Sequence, residues 1–299
     1  MNSNMCLICG SAVDSASAVI APFIALRALQ PGVRTAKYHR CQRCGFGFFE
    51  PRLDDAAQAR LYHDYRGGQY LQERMSCEPW YSAAFNAALS EPSGFIRRRR
   101  AVRSVFAEHL KTTCPRGVLD FGGDKGDLVT DLIPGARPFV YDISGVLPRS
   151  GVTRVESLSE CRDLACDVIV CSSVLEHVPD PIATLHDIDS ISTPTTLIYV
   201  EVPDERPSSA LSRLKRVVQY SWLSVARPKI AFRMLRKGMF TVLHEHVNFF
   251  TADSLLLAAN ALAWEVVASG HYTLSSASGM AFGTERCLWM LVQQKSKST

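Results

Sequence analysis

Apolar residues in this 299-residue chain gather into short runs that end on polar tips, with longer amphipathic stretches between them. Val118-Leu119 leads to Asp120, Phe139-Val140-Tyr141 to Asp142, and Val168-Ile169-Val170-Cys171 to Ser172, while Leu197-Ile198-Tyr199-Val200 ends on Glu201. Each run is short for a helix and rich in β-branched or aromatic residues, which predicts a buried strand. Trp264-Glu265-Val266-Val267 and residues 287–292 add two more strands. Helices are expected between them: Asp180-Pro181 reads as a cap and first turn, Thr251 caps a helix through Ala261, and an amphipathic stretch covers 97–109. Strands alternating with helices and closing on a terminal hairpin predict an α/β protein with a doubly wound, seven-stranded sheet.

The first of these runs opens into Phe121-Gly122-Gly123-Asp124-Lys125-Gly126-Asp127, which reads as a glycine-rich turn followed by the start of a helix. A dinucleotide site would need G-x-G-x-x-G, but from Gly122 the required glycines fall on Asp124 and Asp127. Asp142, twenty-two positions after Asp120, sits where a strand-tip carboxylate can accept hydrogen bonds from ribose hydroxyls. In open parallel sheets, ligands collect at these carboxyl ends.

The pattern D-x-G-x-x-x-G over Asp120, Gly122 and Gly126, followed by Asp142 and then Val174-Leu175-Glu176-His177-Val178, resembles class I S-adenosylmethionine-dependent methyltransferases. The resemblance covers roughly residue 100 to the C-terminus. It implies a Rossmann-like sheet and a cofactor site that includes Asp120, Gly122, Gly123, Gly126, Asp142 and Ser172. The middle glycine of the usual motif is replaced by Asp124, and aspartate tolerates a left-handed backbone better than most residues.

Composition narrows the setting. With 47% hydrophobic residues the chain can bury a full core, and a net charge of +4 does not by itself call for a polyanionic partner. No run approaches roughly 18 uninterrupted apolar residues. The opening Met1-Asn2-Ser3-Asn4 lacks the basic and apolar segments of a signal peptide, so a cytoplasmic location is expected. Four of the ten cysteines form Cys6-Leu7-Ile8-Cys9-Gly10 and Cys41-Gln42-Arg43-Cys44-Gly45, two C-x-x-C knuckles whose thiolates predict a structural Zn²⁺ site. Cys77, Cys114, Cys161, Cys166, Cys171 and Cys287 are scattered and read as small hydrophobes.

Three units follow: a zinc ribbon over 1–50, a helical linker or lid over 51–113, and the cofactor-binding domain over 114–299. Within the linker, Asp54 caps a helix over 55–63. In zinc-bearing methyltransferases the segment corresponding to Tyr62–Tyr70 lies over the cofactor, so the resemblance makes Tyr65 and Tyr70 lid candidates. From 206 to 240 there are nine Lys or Arg and no Asp or Glu, interleaved with Leu211, Leu214, Tyr220 and Trp222. Such an insertion is either a solvated helical lid or a surface for anionic lipid or pyrophosphate, which would make the protein membrane-peripheral.

The substrate side is read from Leu243-His244-Glu245-His246-Val247-Asn248. Its histidines are two apart, not in the H-E-x-x-H spacing of a zinc protease. Together with the knuckles it resembles zinc-containing methyltransferases of sugar and polysaccharide biosynthesis, including sugar C-methyltransferases with a Y-H-E-H motif. That resemblance implies active-site roles for Glu245 and His246, with Leu243 in place of the tyrosine. Histidine suits a general base for a hydroxyl nucleophile, so His246 is assigned as base and Glu245 as its orienting partner. His177 and Glu176 are expected to position rather than react. The expected acceptor is a hydroxyl of a nucleotide- or lipid-linked sugar, or another small molecule. RNA methylation is the alternative enzyme reading, disfavoured because the third strand runs into Cys171-Ser172-Ser173-Val174. A degenerate, non-enzymatic cofactor-binding scaffold is the other alternative.

Overall fold

In the computed structural model, which describes residues 4–29, 35–78, 81–89, 92–110, 115–205, 225, 228, 242–275 and 284–295, the short apolar runs pair as expected. The N-terminal part comprises β1 (Val13–Ile20), α1 (Pro22–Arg27), β2 (Thr35–Cys41) and β3 (Gly47–Glu50). Four helices follow: α2 (Asp55–Tyr62), α3 (Gly68–Cys77), α4 (Ala83–Leu89) and α5 (Pro92–His109). Then come β4 (Gly117–Phe121), β5 (Arg137–Tyr141), β6 (Thr153–Val155), α6 (Leu158–Leu164), β7 (Val168–Ser172), α7 (Pro181–Ile191) and β8 (Leu197–Pro203). The chain ends with β9 (Val242–Leu243), β10 (Asn248–Phe249), α8 (Ala252–Ala261), β11 (Trp264–Ser275) and β12 (Thr284–Gln294).

Seven strands form one sheet in the order β11-β12-β8-β7-β4-β5-β6. The five strands from β8 to β6 are parallel, and β12 runs antiparallel to both β8 and β11. The order reverses at β4, which has β5 on one side and β7 on the other. A crevice is expected beyond the strand ends at such a reversal. The α/β class and the seven-stranded sheet are therefore as read from the sequence.

The helices cover both faces. Val102, Val105 and Phe106 of α5 pack with Val118, Val170 and Tyr199, while Leu185 and Ile188 of α7 and Leu255 of α8 pack with Leu119, Ile169 and Val200. Local chemistry starts these helices as expected: the side chains of Asp54, Asp180 and Thr251 each accept from backbone amides of the following turn.

A second sheet has the order β10-β3-β2-β1-β9. Its edge strands β9 and β10 come from 242–249, so the segment expected on the substrate side is hydrogen-bonded to the N-terminal strands. No described helix is long and apolar enough to cross a membrane. The basic stretch 206–240 lies outside the described residues except at 225 and 228, and Cys114 lies outside them as well.

One expectation is corrected. The glycine turn does not open into a helix: residues 124–131 are successive turns. Asp131 adopts φ +55°, a left-handed conformation incompatible with a continuing helix. Arginines of α5 also take carbonyls that a helix would use: Arg99 bonds those of Asp127 and Leu128, and Arg103 Nε donates to Leu132 O at 3.0 Å.

Candidate active site

The reversal point places the β4 tip and the β7 tip side by side. Gly122 stands at φ +75°, and a Cβ there would lie 2.6 Å from the Val174 side chain, so the close approach of the two loops requires glycine. Gly123 lies over the Asp120 carboxyl, and Gly126 lies against Val152. Asp124 takes φ +54°, a left-handed conformation that aspartate tolerates better than most residues. Its amide donates to Asp142 Oδ2 at 2.8 Å, and the Ser144 amide donates to Oδ1 at 2.7 Å. Burial, reinforced by the charges of Asp142 and Asp124, pushes Asp120 up to about 8. Ser172 donates to Glu201 Oε1 at 3.0 Å.

A cleft of about 590 Å³ opens between this turn and the segment 63–69, lined by Tyr65, Arg66, Asp124, Lys125, Ser144 and Val146. Tyr65 thus faces the glycine turn. Tyr70 is placed differently: it is fully buried on α3, edge-on to Tyr65 at 5.3 Å, with its hydroxyl donating to Glu245. Arg74 completes this group, donating Nη1 to Glu245 Oε2 at 3.0 Å and Nε to Glu78 Oε2 at 2.7 Å. Glu78 also pairs with His244. Burial opposes the charge on Glu245, but His244, Arg74 and the Tyr70 hydroxyl together bring it down to about 2.

The loop after β7 meets the segment after β9 at a second cluster. The rings of His177 and His246 stand 4.7 Å apart, edge to face, and Glu176 lies beside them. His177 Nδ1 is 2.8 Å from the Tyr62 hydroxyl and 3.1 Å from the Glu245 carbonyl. His246 Nδ1 is 2.8 Å from Glu205 Oε2. Burial, then the neighbouring His246, lowers His177 to about 3. Burial works against a charged His246 as well, yet Glu205 raises it to about 9. Burial pushes Glu176 up to about 7.

At the far end of the N-terminal sheet, Cys6, Cys9, Cys41 and Cys44 bring their sulfurs within 4.8 Å of one another. The closest separations are 3.5–3.6 Å. A tetrahedral zinc with Zn–S bonds near 2.3 Å requires sulfurs about 3.8 Å apart, so the donor set fits that ion. Amides of Ile8 and Cys44 point at the Cys6 and Cys41 sulfurs, each at 3.4 Å, in the manner of a zinc knuckle. The Thr251 hydroxyl donates to Cys44 O at 2.6 Å, tying the knuckle to the cap of α8. Of the scattered cysteines, Cys161, Cys166, Cys171 and Cys287 are buried and Cys77 is half-buried.

A family model described as a methyltransferase domain matches residues 95–269, more than half of the chain. The chain belongs to the methyltransferase domain family. It is also similar to the ubiquinone biosynthesis O-methyltransferase of Neisseria meningitidis serogroup C, at 33% identity over 58 residues. That match spans 19% of this chain and about a quarter (24%) of the relative. Among solved structures, an S-adenosylmethionine-dependent methyltransferase from Anabaena variabilis shares 12% identity with a TM-score of 0.42, covering 66% of this chain and 84% of that one. A Burkholderia thailandensis 1,6-didemethyltoxoflavin-N1-methyltransferase, solved with bound 1,6-didemethyltoxoflavin and S-adenosylhomocysteine, shares 17% identity with a TM-score of 0.42, covering 71% of this chain and 90% of that one.

Apart from Ser172 and the four cysteines, the residues singled out by sequence fall into three places. Asp120, Gly122, Gly123, Gly126 and Asp142 surround the glycine turn, with Tyr65 across the cleft. Glu245 and His246 are adjacent in sequence but part ways: Glu245 turns to Tyr70 and Arg74, and His246 turns to Glu205 and His177. Sequence reasoning did not find Glu205, Arg74, Glu78 or a contact for Tyr62. A carboxylate beside the basic stretch was the one available signal for Glu205.

Proposed function

We propose that the protein transfers a methyl group from S-adenosylmethionine to a hydroxyl of a glycan precursor, a nucleotide- or lipid-linked sugar. The observation that carries this reading is the glycine turn at the sheet's reversal point, clamped to Asp142 and facing a cleft under Tyr65. Asp142 retains acceptor capacity for ribose hydroxyls, and the sulfonium charge of a bound donor would favour ionisation of the Asp120 carboxyl, which burial otherwise keeps protonated. The donor is already activated by its sulfonium, so positioning the acceptor supplies much of the acceleration. His246 is assigned to activating the hydroxyl, a role open to it once it gives up the proton that the orienting Glu205 favours, while Glu245 holds the 243–246 segment against Tyr70 and Arg74. Breaking that second arrangement strands buried carboxylates, which costs about 3–5 kcal/mol in comparable buried pairs.

The four cysteines bind a structural Zn²⁺ in this reading, supported by their sulfur separations. The choice of a phosphate-bearing sugar is supported by the nine basic residues of 206–240. The test is calorimetry with S-adenosylmethionine, followed by incubation with labelled donor and a panel of nucleotide sugars and lipid-linked sugars. Label appearing in a sugar supports the proposal. Cofactor binding with label transferred only to RNA would replace the acceptor class, and no cofactor binding would end the proposal.

A further inference from the structure

The cluster of Glu176, His177 and His246 has features that hydroxyl activation alone does not account for. One ligand atom from each lies within 4.8 Å of the other two. An ion bonded at about 2.1 Å accommodates ligand atoms up to roughly 4.2 Å apart, so small side-chain rotations would close the set. Glu176 is 1% exposed, and its buried Oε2 has no hydrogen-bond partner among the described residues. A buried carboxylate oxygen without a donor is costly, and a cation answers that need.

The ring nitrogens are arranged to match. A carbonyl oxygen can only accept, so a hydrogen bond between His177 Nδ1 and Glu245 O, 3.1 Å apart, requires the proton on Nδ1, with the Tyr62 hydroxyl at 2.8 Å then accepting as well. His246 Nδ1 faces the Glu205 carboxylate at 2.8 Å in the same sense. Nε2 of each ring is then the nitrogen left to bond an ion, which on His246 displaces the proton that the Glu205 charge favours. Metal-binding histidines are held this way, with the outer N–H given to a carbonyl or a carboxylate.

We infer that Glu176, His177 and His246 form a site for a divalent cation of the Mn²⁺ class, with Glu205 and the Glu245 carbonyl as its outer shell. Two imidazoles and one carboxylate leave further coordination positions open, where neighbouring oxygens of an acceptor can bind. The site adjoins the cofactor turn, because Val174, two residues before Glu176, packs against Gly122.

The inference rests on the acceptor-side reading above and specifies how His246 acts there. With the cation bound, Nε2 is its ligand, and the acceptor hydroxyl becomes more acidic by coordination and releases its proton to water. Its oxygen bonds the methyl carbon as the carbon–sulfur electron pair returns to sulfur, giving the methyl ether and S-adenosylhomocysteine. This site differs from the four-cysteine centre in donor chemistry, since its carboxylate and open positions for oxygen ligands suit Mn²⁺, whereas four thiolates select softer ions such as Zn²⁺.

The experiment is titration of the full chain, with its cysteine-bound metal in place, by Mn²⁺, following the paramagnetic resonance of the free ion. About one Mn²⁺ should be taken up per chain. Glu176→Gln and His177→Ala should each weaken uptake at least about tenfold, and the half-exposed Glu205→Gln should do so by about tenfold through the outer shell, with cofactor affinity retained. Because Glu205 is 48% exposed at its side chain, that variant keeps the test valid if the buried ones fail to fold. Folded wild-type protein that binds S-adenosylmethionine but no Mn²⁺, or variants that bind it unchanged, overturns the ion site and leaves the methyltransferase reading standing. Mn²⁺ held by these residues without methylation of any sugar would overturn the acceptor assignment instead.

Discussion

The Asp124 amide donates to Asp142 Oδ2 across 2.8 Å, so the left-handed residue of the glycine turn is fastened to the tip of the neighbouring strand. This bond carries two duties, since the same carboxylate is proposed to receive the ribose. Asp142→Ala is therefore expected to weaken S-adenosylmethionine binding at least about tenfold, the cost of one charge-assisted hydrogen bond. Gly122→Val should do the same by a different route, forcing a branched side chain into Val174 at a positive φ. Calorimetry reads both, and unchanged affinity in both would remove the assigned cofactor site.

Asp120 provides a pH test of the ligand-free protein. Its folded pKa of about 8 lies above the unfolded value near 3.9, so between those values the folded state holds a proton that the unfolded state has lost. Stability contributed by this group falls as pH rises through that window, by up to roughly 1.4 kcal/mol per unit, and levels off above about 8. Denaturant titrations of wild type and Asp120→Asn from pH 5 to 9 should show the difference between them growing in favour of the asparagine. Parallel curves would mean that Asp120 ionises normally.

The cysteine cluster predicts about one equivalent of zinc in purified protein. Cys41→Ser should lose it and loosen the N-terminal sheet, and through the Thr251 to Cys44 bond also the start of α8. Metal analysis with hydrogen exchange measures both effects. Fully folded, metal-free wild-type protein would contradict the assignment.

What was legible in the sequence was what local chemistry decides. Asp54, Asp180 and Thr251 cap their helices because the accepting oxygen and the donating amides lie within three residues. The apolar runs became strands because buried parallel strands need no alternation. The helix expected after Gly126 failed for a non-local reason, since its carbonyls are bonded by arginines from α5. The two-residue strands β9 and β10 carry no period of their own and exist through pairing with β1 and β3. The candidate site divides in the same way. The glycine turn could be read from spacing, whereas the meeting of Tyr62 with His177, 115 residues apart, and of Arg74 with Glu245, 171 apart, is set by how α2 and α3 lie over the sheet.

His246 gives the sharpest test of the acceptor side. It sits against His177, is oriented by Glu205, and makes no contact with the glycine turn among its described hydrogen bonds and ring contacts. His246→Ala is expected to reduce turnover about a hundredfold or more, the usual weight of a group that activates a nucleophile. S-adenosylmethionine affinity should stay within about twofold, because Asp142, Gly122 and Tyr65 are untouched. Single-turnover rates with labelled donor, set beside calorimetric affinities, separate the two quantities. A variant that keeps full turnover would remove His246 from the chemistry, and one that loses cofactor binding as well would show that the two ends of the crevice are not independent.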